Sequence, residues 1–306
     1  GEVEGYVLMV AAIYVVLDKG LGVRLGVLVL LTMSLNHVLK TIIKNPRPFI
    51  ADGTYLDHWA VSADRAHDLA TEYSTPSGHA MAAAAFYGFI FAQTKNRAVR
   101  ALAIVAAILV GASRPYLGVH YVEDIIMGWV IGLVVAVVAV RYVEDIAAWW
   151  SRMPLALQTT ICVAATIVLW AATVALSGWR IDGQPRAFLG YAGLITGMLI
   201  AQPLELRLVD FDPKSSTWIA KLVRYIVSVA LVLATLAILD IAFGALADEY
   251  SLPGYLLQYL RYTIAGIVGI LVAPWLFAKA QLAAYPSFPR KRESSDSLTG
   301  SPPTRG

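Results

Sequence analysis

The sequence predicts an all-α fold, a polytopic transmembrane helical bundle of about nine spans. Two observations predict it. Of the 306 residues, 58% are hydrophobic and only 15% charged, more apolar side chain than a soluble core of this size can hide. The charges are also unevenly placed: runs with few or no charged groups recur at 6–17, 25–39, 78–94, 101–112, 125–140, 155–179, 187–204, 225–239 and 254–278. With their flanks, most reach the roughly 20 residues that a helix needs to cross a bilayer. The net charge of +3 says little in such a protein, and no nucleic-acid partner is expected.

Taken in order, the first run follows Gly1-Glu-Val-Glu-Gly5, which has no positive n-region, and no small-residue cleavage site follows Leu17. It is expected to be a span and not a signal peptide. The second run leads into Lys40-Thr-Ile-Ile-Lys-Asn-Pro-Arg-Pro48. Its Lys40 and Arg47 lie seven residues apart, nearly in line along a helix face until Pro46 disturbs it. Residues 49–75 form a long connection in which Tyr55, His58, Trp59, His67 and Tyr73 alternate with Asp52, Asp57, Asp64, Asp68 and Glu72. It reads either as a short interfacial helix or lid, or as a solvated linker. His58 and His67 are expected to be interfacial side chains, since no metal-ligand constellation surrounds them.

Thr75-Pro-Ser-Gly-His79 opens the third run. It sets Ser77 and Gly78 where the backbone N–H groups of a helix N-terminus point outward, a ready site for an anion. Between the fourth and fifth runs lies Ser113-Arg-Pro-Tyr-Leu-Gly-Val-His-Tyr-Val-Glu-Asp124, a polar stretch with no use between apolar helices unless it does chemistry. His120 and Asp124 are four residues apart, which on a helix puts imidazole and carboxylate on one face. An Asp on one ring nitrogen fixes the tautomer and frees the other lone pair, as a histidine nucleophile or base requires. Arg114 adds a planar, permanently charged fork for oxyanions, and Ser113 a further hydroxyl. Three cations, an N-terminal nest and two histidines make an inventory for phosphoryl transfer.

The later runs offer no comparable chemistry. Gly128 and Gly132, and further on Gly190, Gly193 and Gly197, have the small-residue spacing that lets helices approach closely, and are expected to serve internal packing. Cys162, the one cysteine, lies in an apolar run, so there is no disulfide framework or thiolate metal site. Asp240 sits near one end of its run, where an acid invites functional suspicion but also reaches the interface easily. Residues 281–306 read as a disordered tail, the Ser-, Pro- and Arg-rich stretch from 286 being unable to bury anything.

Orientation follows from Lys and Arg. If the first connection is cytoplasmic, that side collects Lys19 and Arg24; Lys95, Arg97 and Arg100; Arg141 and Arg152; Arg207, Lys214, Lys221 and Arg224; and the basic tail. Beyond the three cations already named, the other side keeps Lys44, Arg65, Arg180, Arg186 and Arg261. The bias predicts an N-terminus outside, a C-terminus inside and all three polar blocks on the outer face of the cell (inner) membrane. An even number of spans between blocks puts them at one depth.

Lys40 with six residues before Arg47-Pro48, Pro76-Ser-Gly-His79, and Ser113-Arg114 with five residues before His120 and three before Asp124 resemble the tripartite signature of the type 2 phosphatidic acid phosphatase superfamily. The resemblance covers roughly residues 25–142, and every signature position is filled in order. It implies a six-helix-type phosphatase core within 1–150, with the first of the additional helices of 151–280 available to complete it.

It implies further that His120 is the nucleophile of a metal-independent, two-step phosphatase and passes through a phosphohistidine. Asp124 orients the ring, and His79 serves as acid and then base. Lys40, Arg47, Arg114, Ser113 and the amides at Ser77 and Gly78 hold the phosphoryl oxygens. No cofactor and no metal are expected. Similar family members act on phosphatidic acid, phosphatidylglycerol phosphate, polyprenyl diphosphates or lipid A phosphates, so a lipid phosphate is the expected substrate. A soluble sugar phosphate is the alternative, because glucose-6-phosphatases resemble the same signature; the related haloperoxidases are soluble.

The blander alternatives are snorkelling cations with buried, satisfied histidines, or a transporter with an anion site. Against the transporter, the chain shows no internal repeat and no matched pair of Gly/Pro-broken spans.

Overall fold

The computed structural model of the protein describes residues 2–48, 73–179, 181, 186–214, 216–280 and 282. Among these, the regular structure is helical throughout. Helix α1 (Glu2–Ala12) passes through a π turn (Ile13–Leu17) to Asp18, whose side chain accepts from Leu21 N–H and caps α2 (Lys19–Ile43). There follow α3 (Gly78–Gln93), α4 (Arg97–Tyr116), α5 (Val122–Ser151), α6 (Leu155–Leu176), α7 (Ala187–Leu208) and α8 (Trp218–Gly244). The last span is α9 (Leu252–Ile267), continued by a π turn (Val268–Val272) into α10 (Ala273–Lys279). Among the described residues, seven helical stretches are long and apolar enough to cross a membrane: α2, α4 to α8, and Leu252–Lys279. Each matches one of the apolar runs, so the polytopic transmembrane bundle is the fold. The loop of 49–72, with its lid expectation and with His58 and His67, and the tail beyond 282 lie outside the described residues.

Helix α3, 16 residues long, is the centre of the N-terminal half. Its small side chains at Ala80 and Ala82 to Ala85 are buried, as are Met81, Phe86 and Phe89. Small residues admit close neighbours, and α5 takes advantage of this. A methyl group at Gly128 would lie 2.8 Å from the Ser77 carbonyl oxygen, and one at Gly132 2.3 Å from that of Met81. The two glycines thus bring α5 onto the backbone of α3 directly below the polar blocks. In the C-terminal half, Gly193 and Gly197 play the same part: a methyl group on either would collide with the carbonyl oxygen of Tyr259 or of Thr263, at 2.4 and 2.2 Å. Both sets of glycines serve internal helix packing, as their spacing suggested.

The two halves share a core. Tyr14 and Val15 from the first π turn and Val23 and Leu30 from α2 pack with Met198, Ala201, Phe211, Ile270 and Phe277, and Tyr14 Oη donates to the Ile270 carbonyl at 2.8 Å. At one end of the bundle Lys19 reaches Glu205 at 3.3 Å and Asp210 at 2.5 Å, while Arg24 pairs with Glu144 at 2.7 Å. At the other end the termini of α2, α3, α4 and α5 meet. Lys44 Nζ donates there to the Leu176 carbonyl at 2.7 Å, which places the end of α6, and hence the start of α7, on that same side. Helices α4, α6 and α8 turn most of their surface outward, and their exposed Leu, Ile and Val side chains suit a hydrocarbon surround.

Candidate active site

Helix α2 ends at Ile43 because Lys44 adopts a left-handed conformation (φ 56), and its N–H closes on the Lys40 carbonyl at 3.0 Å. Lys40 stands in the last helical turn. Arg47 does not continue its face, as the seven-residue spacing suggested; it lies beyond the helix end, in the irregular segment ahead of Pro48. This frees it to run inward. Arg47 is 1% exposed, donates to the Val119 carbonyl at 3.2 Å, and brings Nη1 to 3.5 Å from His120 Nε2. The Val119 carbonyl is presented by a turn at Gly118 (φ 69), a left-handed conformation that glycine adopts without strain.

The second block is pinned before its helix begins. Ser74 N–H donates to the Asn45 carbonyl at 2.7 Å, Asn45 Nδ2 to Thr75 Oγ1 at 2.8 Å, and Asn36 Nδ2 to the Pro76 carbonyl at 2.9 Å. Ser77 N-caps α3, but its own N–H is taken up by the Asp124 carbonyl at 3.1 Å. The amide at Ser77 is therefore a strut between blocks and not a free anion donor. Met81 N–H makes the first bond back, to Ser77 O at 3.0 Å, so Gly78, His79 and Ala80 supply the N–H groups that have no intrahelical acceptor. The Ser77 hydroxyl is buried, with no hydrogen-bond partner among the described residues.

The third block completes the centre. Asp124, fully buried, accepts from Tyr121 N–H at 2.9 Å in a capping box at the start of α5. It also accepts from the hydroxyls of Ser74 and Thr75. With donors on both oxygens it has the pattern of an ionised carboxylate. Since the single hydroxyl proton of Ser74 goes to Asp124, Ser74 Oγ faces His120 Nδ1, 3.2 Å away, as an acceptor. The ring thus carries its proton on Nδ1, which also lies 3.4 Å from Asp124 Oδ2. Arg47, which has only donors, faces Nε2, so both neighbours select the tautomer with the lone pair on Nε2. Burial, reinforced by the charges of Arg47 and Lys40 and opposed by the bond to Asp124, holds the His120 imidazole below its ordinary pKa.

His79, at the start of α3, has Nε2 3.1 Å from Arg114 Nη1, and Arg114 Nε is steadied by Ser113 Oγ at 3.0 Å. Ser113 in turn donates to the Val110 carbonyl at 2.7 Å. The charges of Arg114, Lys40 and Arg47 all act on the His79 ring. The structure therefore gathers His120, His79, Asp124, Lys40, Arg47, Arg114, Ser113, Ser77 and Gly78 at one end of the bundle. Ser74, Thr75, Asn45 and Asn36 belong to the same assembly and were not anticipated. The signal available for the first two was a pair of hydroxyls immediately ahead of Pro76-Ser-Gly-His79. His37, one turn before Lys40, stacks on Phe188 at 5.1 Å and ties the start of α7 to this end of α2. Among the described residues, no group of three or more His, Cys, Asp or Glu side chains is placed to hold a metal ion.

Such an arrangement suits an oxyanion: fixed cations and helix N–H groups around two imidazoles, one of them oriented by a carboxylate. Residues 21–148 match the PAP2 superfamily, and residues 189–285 match the transmembrane extension of PAP2 superfamily phosphatases. Over 121 residues the chain is 36% identical to phosphatidylglycerophosphatase B of Bacillus subtilis, covering 35% of this chain and 53% of that protein. It is 31% identical over 115 residues to an undecaprenyl-diphosphatase of Sulfolobus acidocaldarius, covering 37% and 51% of the two chains. Sphingosine-1-phosphate phosphatase 2 of Mus musculus matches at 34% over 121 residues, 38% of this chain and 32% of that one. The chain spans about half, or less, of the length of these curated relatives. No solved structure matches significantly.

Proposed function

We propose that this chain, which belongs to the PAP2 superfamily, is a membrane-embedded phosphatase that removes the terminal phosphoryl group of a lipid phosphate. The observation that carries the reading is the convergence of three distant polar blocks at one end of the bundle, with the tautomer of His120 fixed through Ser74 and Asp124. The three relatives are named for phosphatidylglycerophosphate, undecaprenyl diphosphate and sphingosine 1-phosphate. Their common element, a terminal phosphate on a lipid, is the substrate class assigned here, with phosphatidic acid, phosphatidylglycerol phosphate and polyprenyl diphosphates as the members to test.

In the first step His120 Nε2 forms a bond to phosphorus while the P–O bond to the leaving oxygen breaks, releasing an alkoxide from a monoester and a phosphate monoester from a diphosphate. The imidazolium that results keeps its Nδ1–H on Ser74 and Asp124. Arg47, Lys40, Arg114 and the amides of Gly78 and His79 surround the equatorial oxygens, where charge stabilisation lowers the barrier most. His79 protonates the leaving oxygen. Because Arg114 has only donors, His79 Nε2 carries its lone pair while the two face each other. Proton delivery thus requires the incoming phosphate to draw the Arg114 donors to itself and leave Nε2 to bind a proton. In the second step the same nitrogen takes a proton from water, which attacks phosphorus and releases inorganic phosphate and free His120.

Residues 1–150 are assigned the catalytic core and 151–280 an extension whose α6 and α7 brace the end of α2 through Lys44 and His37. The bias of Lys and Arg supports an active site on the outer face of the cell membrane with the C-terminus inside. The direct test is release of inorganic phosphate from a panel of lipid phosphates in detergent with EDTA present. Wild-type protein is expected to turn over at least one lipid phosphate, with His120→Ala inactive; equal release by that variant removes the assignment.

A further inference from the structure

A second polar constellation lies at the same end of the bundle, between the start of α7, the last turns of α8 and the start of α9. A cleft there is lined by Arg186, Asp240, Phe243, Glu249, Gln258 and Arg261, among others. Arg186 is ion-paired with Glu249 and donates to Gln258 Oε1 at 3.1 Å. Arg261 is ion-paired with Asp240 and lies over the Tyr262 ring, 5.0 Å from its centroid. The pairs are tilted in depth. The side chains of Arg186 and Arg261 are 24% and 12% exposed, those of Glu249 and Asp240 56% and 66%, so the floor is cationic and the rim anionic. On both arginines the Nε–H is buried and has no acceptor among the described residues, which leaves a donor on each guanidinium to be satisfied. Ile241, Leu246 and Leu256, each next in sequence to a residue of the cleft lining, are strongly exposed, apolar surface of the kind acyl chains cover.

We propose that this cleft binds the headgroup of a phospholipid that carries both a phosphodiester and a primary ammonium. The unmet Nε–H groups of Arg186 and Arg261 ask for an oxyanion on the floor, and the planar forks suit phosphate. Asp240 and Glu249 at the rim repel a headgroup that is only anionic and attract a cation one bond-chain further out. The four side chains sum to no net charge, which a zwitterion preserves. A primary ammonium donates hydrogen bonds to the two carboxylates, whereas a quaternary one cannot. Such a diester has no terminal phosphoryl group to transfer, so this ligand is distinct from the substrate. Bound there it joins α8, the most outward-facing span, to α7 and α9.

The test is lipid retention by the purified full-length chain in detergent, read by native mass spectrometry. Phosphatidylethanolamine, phosphatidylglycerol and phosphatidylcholine of matched chains are the probes. Wild-type protein is expected to retain phosphatidylethanolamine about tenfold or more over the other two. The double variant Arg186→Gln with Arg261→Gln lowers that retention to the level of phosphatidylcholine. The double variant Asp240→Asn with Glu249→Gln, which keeps side-chain shape, raises phosphatidylglycerol to the level of phosphatidylethanolamine and decides the matter alone if the arginine variant fails to fold. Equal retention of the three lipids by wild type, or unchanged selectivity in the carboxylate variant, overturns the proposal. So does displacement of the lipid by equimolar inorganic phosphate or glycerophosphoethanolamine, which would mark a site for free anions. None of these readouts depends on phosphatase turnover, so the two proposals stand or fall separately.

Discussion

Replacing Ser74 by alanine isolates the part of the site that orients the nucleophile. Ser74 is fully buried, lies 3.2 Å from His120 Nδ1 and donates to Asp124. Its loss leaves Asp124 with Thr75 and the Tyr121 amide, so the carboxylate stays in place. His120 Nδ1–H keeps only the direct contact to Asp124 at 3.4 Å, and the ring must move by about 0.5 Å to make an ordinary hydrogen bond of it. A hydrogen bond to a charged group contributes roughly 1.5–3 kcal/mol, here in full once His120 is an imidazolium. Partial recovery by the direct bond leaves a deficit of roughly 1–2 kcal/mol in the transition state, a fall in kcat of about five- to thirtyfold. KM is expected to stay within about twofold, since Ser74 serves the ring and not the phosphate. Steady-state phosphate release against lipid concentration reads both constants. An unchanged kcat, or a raised KM with kcat intact, would refute the orienting role.

Other perturbations separate chemistry from scaffold. Asp124→Asn, which keeps the side chain's size but removes the charge facing the imidazolium and turns one of its two accepting oxygens into a donor, is expected to lower kcat about a hundredfold in the same assay, more than Ser74→Ala. Because the folded environment lowers the pKa of His120, the ring is neutral at pH 7 and stays so as pH falls through about 6.5, the ordinary histidine value. The acid limb of kcat/KM should therefore lie below that value, and a limb above it contradicts the assignment. Gly132→Leu forces a side chain against the Met81 carbonyl, 2.3 Å from the first added carbon. It should destabilise by about 3 kcal/mol or more and lower the melting temperature in detergent by several degrees. Glu205→Ala at the far end strips the buried partner of Lys19 and of the Phe211 amide. Lys19 keeps Asp210 and is partly solvated, so about 1–2 kcal/mol of stability is expected to go, with KM unchanged.

The sequence made the membrane fold legible because apolar runs of bilayer length carry their own physical meaning, and each long run became a helix. The blocks were legible because each concentrates polar groups that an apolar segment has no other reason to carry. What was hidden depends on contacts across the chain. Ser74 and Thr75 are ordinary hydroxyls until Asp124, from another helix, is laid against them. The departure of Arg47 from the helix face was set by the left-handed Lys44, a conformation that a lysine does not announce. Ser77 was read as offering its amide to an anion, but the approach of α5 on Gly128 gives that amide to Asp124. Asp240 stood alone in its run, and its partner Arg261 appears only when α8 and α9 are brought side by side.

The central claim is that His120 becomes covalently phosphorylated during turnover. Rapid acid-free quenching of the protein with a lipid phosphate labelled in its terminal phosphoryl group, followed by peptide mapping, tests it most directly. The account predicts an acid-labile, alkali-stable label on His120 that is absent from His120→Ala and that, with a phosphate ester of an acidic alcohol whose departure needs no proton from His79, accumulates in His79→Ala, where water attack lacks its base. Turnover without any such label in the His79 variant, or label persisting in His120→Ala, would contradict it.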